Sequence, residues 1–571
     1  MNKGPKKRVA VVGAGTSGLM AIKSLKEDNF EPICFEKTSY FGGLWHYHDE
    51  DVDGVPSLMW STSLNNSKEV GAISDFPPRP EFPNYMRHFQ VLEMFAEYGE
   101  RFDLFKHIRY NKEVIKVLKD QSYQRTGRWR VVVKDILTDE IEEEVYDAVL
   151  ICTGHLSIPN IANFPQMKSY KGEIIHTHSV KKFQNFNNKT VCVVGTGSSA
   201  LDAAVEISHT ANQVYLSIRH PCWIYGRQGP YGYPLDWTLF TWDHTALQQY
   251  VPINWTNKVL KEIFINPRFS HSLYNINPTG GPANRDPAVN DTIASRMMNG
   301  SIILKKNINY FTENGVVFVE EGAKETKVDA VVLGTGYNWD FPFLDDKDLV
   351  VNGQKIHLYK CIYPPHLTHP TLGIVGFIVP MGPGFPCVEM QCRYFSYLLS
   401  GKGKLPSKQL MEQDIEKQYR ENVKRYGEGS RVSVHVDFAP YLEDLSTKIG
   451  ANPSMLKLLF TDFQLFVACA IGPYLPYRFR LTGPHRWEGA RQAILTAGER
   501  MRAPLQGEKA FQKDNAQRSY KAYILFCLAV IAWYIRKKDF VNYETITKLY
   551  QHCLMLRSLA VNVLENSKLC K

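Results

Sequence analysis

The chain has 571 residues, with 67 Lys and Arg against 58 Asp and Glu for a formal charge of +9; 44% of residues are hydrophobic and 22% charged. That balance excludes wholesale disorder, a collagen-like chain and a polytopic membrane protein, and the length leaves room for about four domains of roughly 150 residues. The positive charge forms no long Lys/Arg block, which points to anionic cofactors or a membrane surface rather than to nucleic acid.

Residues 8–12 (RVAVV) read as a fully apolar strand, too short for a signal-peptide core. Gly13-Ala14-Gly15-Thr16-Ser17-Gly18 follows at once, then a helical pattern (LMAIKSLKED) and a second strand that ends at Glu36. A second unit of this kind starts near residue 190: the strand Val191–Val194, then Gly195-Thr196-Gly197-Ser198-Ser199-Ala200, a helix (LDAAVEISHTA) and a strand that ends in Ser217-Ile218-Arg219. Two more apolar strands, AVLICTG (148–154) and AVVLGTG (330–336), end in Thr-Gly pairs: Thr153-Gly154 and Thr335-Gly336. Such strands return the chain to the carboxyl edge of an open parallel sheet, where ligands bind. The fold class is therefore α/β, with two Rossmann-like dinucleotide-binding domains. Segments rich in Pro, Gly and aromatics, such as RQGPYGYPLDW, read as ordered loops.

The C-terminal part differs. Residues 456–471 (LKLLFTDFQLFVACAI) read as an amphipathic stretch. Residues 522–535 (AYILFCLAVIAWYI) carry no charge and lie between Lys521 and Arg536-Lys537-Lys538. They fall short of the ~20 residues that span a bilayer comfortably. The basic flank and the Trp533-Tyr534 pair favour a membrane-associated helix over a buried one.

The first fingerprint is Gly13-x-Gly15-x-x-Gly18 with Glu36 downstream. Its first glycine allows the tight turn and its second lets the backbone approach a pyrophosphate. The third lets helix and strand pack closely, and the acid accepts from an adenosine ribose. The extension Gly42-Gly43-Leu44-Trp45 adds a second glycine turn, as FAD sites require. The second fingerprint, Gly195-x-Gly197-x-x-Ala200, is followed by Arg219 where an NAD site has an acid. An arginine pairs with a 2′-phosphate that an acid would repel, so the second nucleotide is read as NADP. Two nucleotide sites in one chain imply electron transfer between cofactors. The 11 cysteines include no C-x-x-C, so a dithiol centre, an iron–sulfur relay and a metal site are not expected, and buried free thiols are. Molecular oxygen, which needs no protein ligand, is the expected acceptor.

At this level of detail the chain resembles the animal flavin-containing monooxygenases. The motifs GAGTSGL, FEKTSYFGGLW, NNSKEV, SDFP, FPNYM, FDLFKHI, CTGH, YKGEIIHTHS, VVGTGSSALD, GYPLDW, LGTGY, PYRFRLTGP and WEGARQAIL run in family order. The resemblance implies FAD and NADPH as cofactors and a C4a-hydroperoxyflavin that oxygenates soft nitrogen or sulfur atoms of small lipophilic compounds, with NADP⁺ kept bound. It implies the endoplasmic reticulum membrane, with the catalytic part facing the cytosol; whether the chain pairs as a homodimer stays open. Asn65, by the same resemblance, lies near the reactive edge of the flavin and is both the catalytic candidate and a cofactor-binding candidate for the NADP⁺ amide; as a loop residue it has a turn as its plain alternative. Leu44, Trp45, Ser198, Ser199, Gly334 and Tyr337 join the glycines, Thr153, Thr335, Glu36 and Arg219 as cofactor-binding candidates. The implied domains are 1–165 and 329–445 for FAD, 166–328 for NADPH, and 446–571 for the C-terminal region. A neutral amine or thioether needs no general base, so no catalytic triad is sought.

Several positions depart from the family pattern. Its identifier begins Tyr170-x-Gly172-x-x-x-His176, but Val180 holds the last aromatic place. The usual Asn-Ser-Gly after the second GxG is Ser198-Ser199-Ala200, and the usual Ala before Thr335 is Gly334. His176 reads as a hydrogen-bonded structural histidine, with a functional one as the alternative, and Trp223 and Tyr225 read as core, with the lining of a substrate or nicotinamide passage as the alternative. The departures keep an NADPH oxidase releasing hydrogen peroxide as an alternative. A Baeyer–Villiger monooxygenase lacks support, because its Trp-Pro pair after the histidine is absent. A non-catalytic nucleotide-binding scaffold fits least well.

Overall fold

The structure is a computed structural model that describes residues 6–505, except 243–244, 246–251, 345–349, 352–354 and 430. The stretch 522–535 expected to associate with a membrane lies outside the described residues. The chain forms two compact units. The larger comprises Met1–Asn65, Met86–Arg227 and Phe269–Ile449; the smaller comprises Asn66–Tyr85, Gln228–Arg268 and Gly450–Lys571.

The larger unit holds two five-stranded parallel sheets of Rossmann type. In the first, Arg8–Val12 pairs with Glu31–Phe35 on one side and Ala148–Ile151 on the other; Ile108–Arg109 and Leu372–Ile374 complete the edges. In the second, Thr190–Val194 pairs with Gln213–Ile218 and with Ala330–Leu333, and Ile302–Lys306 and Glu173–His176 form the edges. The central strands are buried along nearly their whole length, which is why they read as continuous apolar runs. Ala330–Leu333 belongs to the second sheet, in register with Val191–Val194. This strand, just past residue 328, thus completes the second sheet.

The duplication goes further than the glycine motifs. Each sheet carries a three-stranded antiparallel meander ahead of its Thr-Gly strand. These are Lys112–Lys119, Trp129–Asp135 and Ile141–Tyr146 in the first, and Ile308–Phe311, Gly315–Phe318 and Glu325–Lys327 in the second.

The smaller unit is built on buried ion pairs. Glu69 accepts from Arg500 Nε at 2.9 Å and Nη2 at 2.6 Å and from the Tyr477 hydroxyl at 3.0 Å. Lys68 donates to the carbonyls of Pro80 at 2.6 Å and Phe82 at 2.7 Å, and its burial lowers its pKa to about 8. Arg480 donates to Ser74 at 2.7 Å and pairs with Asp75 at 3.1 Å. The motifs NNSKEV, SDFP and PYRFRLTGP thus interlock as scaffold. Residues 456–471 are not one helix. Asp462 ends Met455–Thr461 and caps Phe463–Ala470 through Leu465 N at 3.1 Å, while pairing with Arg491 at 2.6 Å. The first of these helices has no buried residue and leaves Leu456 and Phe460 67% and 80% exposed.

Candidate functional site: two glycine cradles and an anchored asparagine

The first cradle is backbone packed on backbone. Gly13 has φ +100°, and a Cβ on Gly18 would sit 2.0 Å from Gly13 O, so only glycine fits at these two places. The Gly42-Gly43 turn closes against the fingerprint, with Gly42 N donating to Ala14 O at 3.0 Å and Gly15 bridging Gly42. Leu44 and Trp45 follow in a single 3₁₀ turn, with the Trp45 ring edge-on to Phe385 at 5.9 Å. Glu36 is 8% exposed; one carboxylate oxygen accepts from Ala14 N at 2.7 Å and the other from Thr38 N and Oγ1 at 2.9 Å. The acid is thereby fixed at the end of its strand, beside the Gly13–Gly18 turn.

The second cradle solves the same problem with a different residue set. Gly195 has φ +128°, and a Cβ there would lie 2.5 Å from Gly334 O. A Cβ on Gly334 would in turn lie 2.6 Å from Ala200 Cβ. The two departures, Ala200 for glycine and Gly334 for alanine, therefore meet in one joint, where a Cβ on Gly334 would also lie 3.0 Å from Ala200 Cα and 3.1 Å from Val194 O. Ser198 Oγ accepts from Val289 N at 3.3 Å, and Ser199 is exposed. Arg219 stands exposed just past Gln213–Ile218, with no side-chain partner among the described residues.

Both cradles fit a dinucleotide. The helices Thr16–Glu27 and Ser198–Ile207 begin at Gly15 and Gly197, and neither has a side-chain cap, so first-turn N–H groups remain for phosphate oxygens. A Cβ on Gly154 or on Gly197 would meet nothing within 4 Å, so open space borders the backbone at both places. Thr153 and Gly154 follow the strand beside Arg8–Val12, and Thr335 and Gly336 follow the strand beside Thr190–Val194.

The two Thr-Gly loops are joined to each other. Ile158–Pro159 pairs antiparallel with Tyr337–Asn338, Asn160 N donates to Gly336 O at 2.9 Å, and Thr335 Oγ1 donates to Asn160 O. Tyr337 is half-buried, its ring 5.4 Å from that of His176, and burial raises its phenol to about 12.

Asn65 makes no direct hydrogen bond to either fingerprint among the described residues. It is exposed, and its Oδ1 accepts from Arg227 Nη2 at 2.9 Å. Arg227 escaped the sequence reading, because nothing local signals a partner 162 residues away. Val180 is 2% exposed among Phe186, Val191 and Val193, so it is a core residue rather than a site residue. His176 is buried, its Nδ1 accepts from His178 N at 3.1 Å, and burial lowers its pKa to about 4. Trp223 is 5% exposed and donates to Gly280 O at 3.2 Å; the Tyr225 hydroxyl donates to Pro282 O at 3.3 Å. Both are packing residues. The eight cysteines among the described residues are free thiols, and all but Cys222 are buried.

The profile of a family described as "FMO-like: Flavin-binding monooxygenase-like" matches residues 6–536. Over 528 residues the chain is 38% identical to human flavin-containing monooxygenase 5, covering 92% of this chain and 98% of that protein. The chain belongs to the flavin-containing monooxygenase family. Another relative is the rat dimethylaniline monooxygenase [N-oxide-forming] 2, 36% identical over 530 residues, again covering 92% of this chain and 98% of the relative. Among solved structures, the S-allyl-L-cysteine S-oxygenase of Allium sativum superposes with a TM-score of 0.60 at 22% identity, over 87% of this chain and 99% of that one. Cyclohexanone monooxygenase from Rhodococcus bound to NADP⁺ gives 0.55 at 15% identity, over 78% and 98%. These two likenesses concern the fold. As a flavin-containing monooxygenase the protein is a flavin-binding oxidoreductase.

Proposed function

We propose that this flavoprotein uses NADPH and molecular oxygen to oxygenate soft nitrogen or sulfur atoms of small lipophilic compounds. The observation that carries the reading is the ribbon formed by Ile158–Pro159 and Tyr337–Asn338, which ties the open edges of two dinucleotide cradles together with free thiols and no disulfide among the described residues. The Gly13–Gly18 turn, Glu36 and the Gly42–Trp45 turn hold FAD. The Gly195–Ala200 turn holds the NADPH pyrophosphate, and Arg219 takes its 2′-phosphate. Bound flavin, once reduced, supplies the oxygen-activating chemistry. The chain's part is to bind, to orient and to exclude water. Asn65 gives an amide beside the reacting edge, where it orders an acceptor oxygen without moving a proton. The relative named as N-oxide-forming agrees with the substrate class.

The exposed Leu456, Phe460 and Phe463, together with the basic-flanked apolar run 522–535, support attachment to a membrane, for which the cytosolic face of the endoplasmic reticulum is the proposed address. Residues 1–165 and most of 329–445 serve FAD, and 166–328 with the strand Ala330–Leu333 serve NADPH.

The test is anaerobic reduction of the purified flavoprotein by NADPH, with NADH as control, followed by oxygen in the presence of a thioether or tertiary amine. Rapid bleaching by NADPH alone and one oxygenated product per NADPH are expected. One hydrogen peroxide per NADPH with no product would make the protein an oxidase and overturn the reading.

A further inference from the structure

We propose that Arg227 is a positioning residue for oxygenation: its guanidinium takes the carbonyl end of the Asn65 amide and so presents the amide N–H groups to the site. The inference rests on the placement of Asn65 at the reacting edge made above.

A guanidinium carries only N–H donors, so the Asn65 atom facing Arg227 Nη2 at 2.9 Å is the oxygen; the reverse orientation would set donor against donor. Arg227 Nε donates to the Leu64 carbonyl at 3.0 Å, so one side chain fixes both the backbone before Asn65 and the rotation of its amide. The Asn65 nitrogen has no protein partner among the described residues, and the residue is exposed. Its two donors are therefore available to an acceptor oxygen.

Arg227 is itself held. Asp291 accepts from Arg227 N at 2.8 Å and from Nη1 at 3.0 Å. The neighbouring Asn290 donates to Asp202 Oδ1 at 2.8 Å, and Asp202 lies on the helix that opens at the second fingerprint. Asn290 Oδ1 also accepts from Thr292 N at 2.9 Å and Ile293 N at 2.8 Å, which sets the turn that carries Asp291. A short relay of side chains thus runs from the NADPH-cradle helix to the Asn65 amide, so the donor direction is referenced to the cradle in which NADP⁺ lies.

Two variants separate amide orientation from simple anchoring. Arg227→Met removes the side-chain bonds to Leu64, Asn65 and Asp291 at similar length. Asn65→Asp keeps, as a carboxylate, the bond to Arg227 but has no donor to offer. The proposal expects both to raise hydrogen peroxide released per NADPH by about tenfold, the scale of one charge-assisted hydrogen bond. Anaerobic flavin reduction by NADPH should change less than about twofold in Arg227→Met, which leaves both glycine cradles intact. Hydrogen–deuterium exchange of residues 62–66, read without turnover, should rise in Arg227→Met and stay level in Asn65→Asp. If Arg227→Met does not fold, Arg227→Lys takes its place, since one ammonium cannot serve Leu64, Asn65 and Asp291 together. If Asn65→Asp uncouples and the Arg227 variant does not, the proposal falls and the placement of Asn65 stands. If the Arg227 variant alone uncouples, Arg227 anchors the loop and amide orientation is irrelevant, which also overturns the proposal. If neither uncouples, the placement of Asn65 falls with it.

Discussion

The two glycine cradles carry nearly the same fingerprint and are held shut differently. In the first, the helix meets the strand through Gly18, with no room for a side chain. In the second, Ala200 brings a methyl group into the same joint, and the neighbouring strand makes room by ending in Gly334. The first also fixes a carboxylate, Glu36, at the tip of its second strand, where the second cradle leaves the cation Arg219. One fold element is thus specialised twice: by where the small residue sits, and by the sign of the charge at one strand end.

Breaking the first joint has the largest expected effect. Gly18→Ala forces a Cβ onto Gly13 O, and thermal unfolding should show a loss of about 3 kcal/mol, with purified protein largely free of flavin. Charge at the second strand end comes next. Arg219→Ala should weaken NADP⁺ binding about 20-fold and NAD⁺ binding less than twofold, as titration calorimetry would show. The Ala200–Gly334 joint offers a finer test. Gly334→Ala alone should cost about 2 kcal/mol by overpacking, and adding Ala200→Gly should restore part of it, the contacts with the residue 200 Cα and Val194 O remaining, so denaturant unfolding would give a non-additive cycle.

The smallest effect is on pH dependence. Burial raises the carboxyls of Asp202, on the second cradle's helix, and Asp236 to about 6. A raised carboxyl binds its proton more tightly in the folded state than in the unfolded one, where it titrates near 3.8. The contribution of these groups therefore favours folding at low pH and declines as pH rises from about 4 to about 6, then levels off. Asp202→Asn should flatten that part of the stability–pH curve.

Much of the fold was legible because it is written in local terms. An apolar strand, a glycine turn and a helix announce each cradle within about 30 residues, and Glu36 and Arg219 lie where such a unit puts them. What escaped is non-local or side-chain-specific. The Ala200–Gly334 contact and the Arg227–Asn65 bond join residues more than 100 positions apart. Val180 reads as a lost aromatic at a motif position, yet its side chain faces a core that only the assembled second sheet creates. Asp462 interrupts a stretch whose apolar pattern is continuous, because a short acid that caps one helix ends the one before it. The family motifs of the smaller unit marked residues correctly without revealing that their work is to pair buried charges.

The ribbon between Ile158–Pro159 and Tyr337–Asn338 has a bearing on the history of such a chain. In the sequence the two halves look like a duplicated cassette that could be lifted out and passed to another protein. In the folded chain each half contributes one edge of a shared seam, and a gene cut at residue 165 would leave both pieces with an unpaired strand at the mouth of a nucleotide site. A methyl or a charge can be exchanged within one cradle without touching that seam.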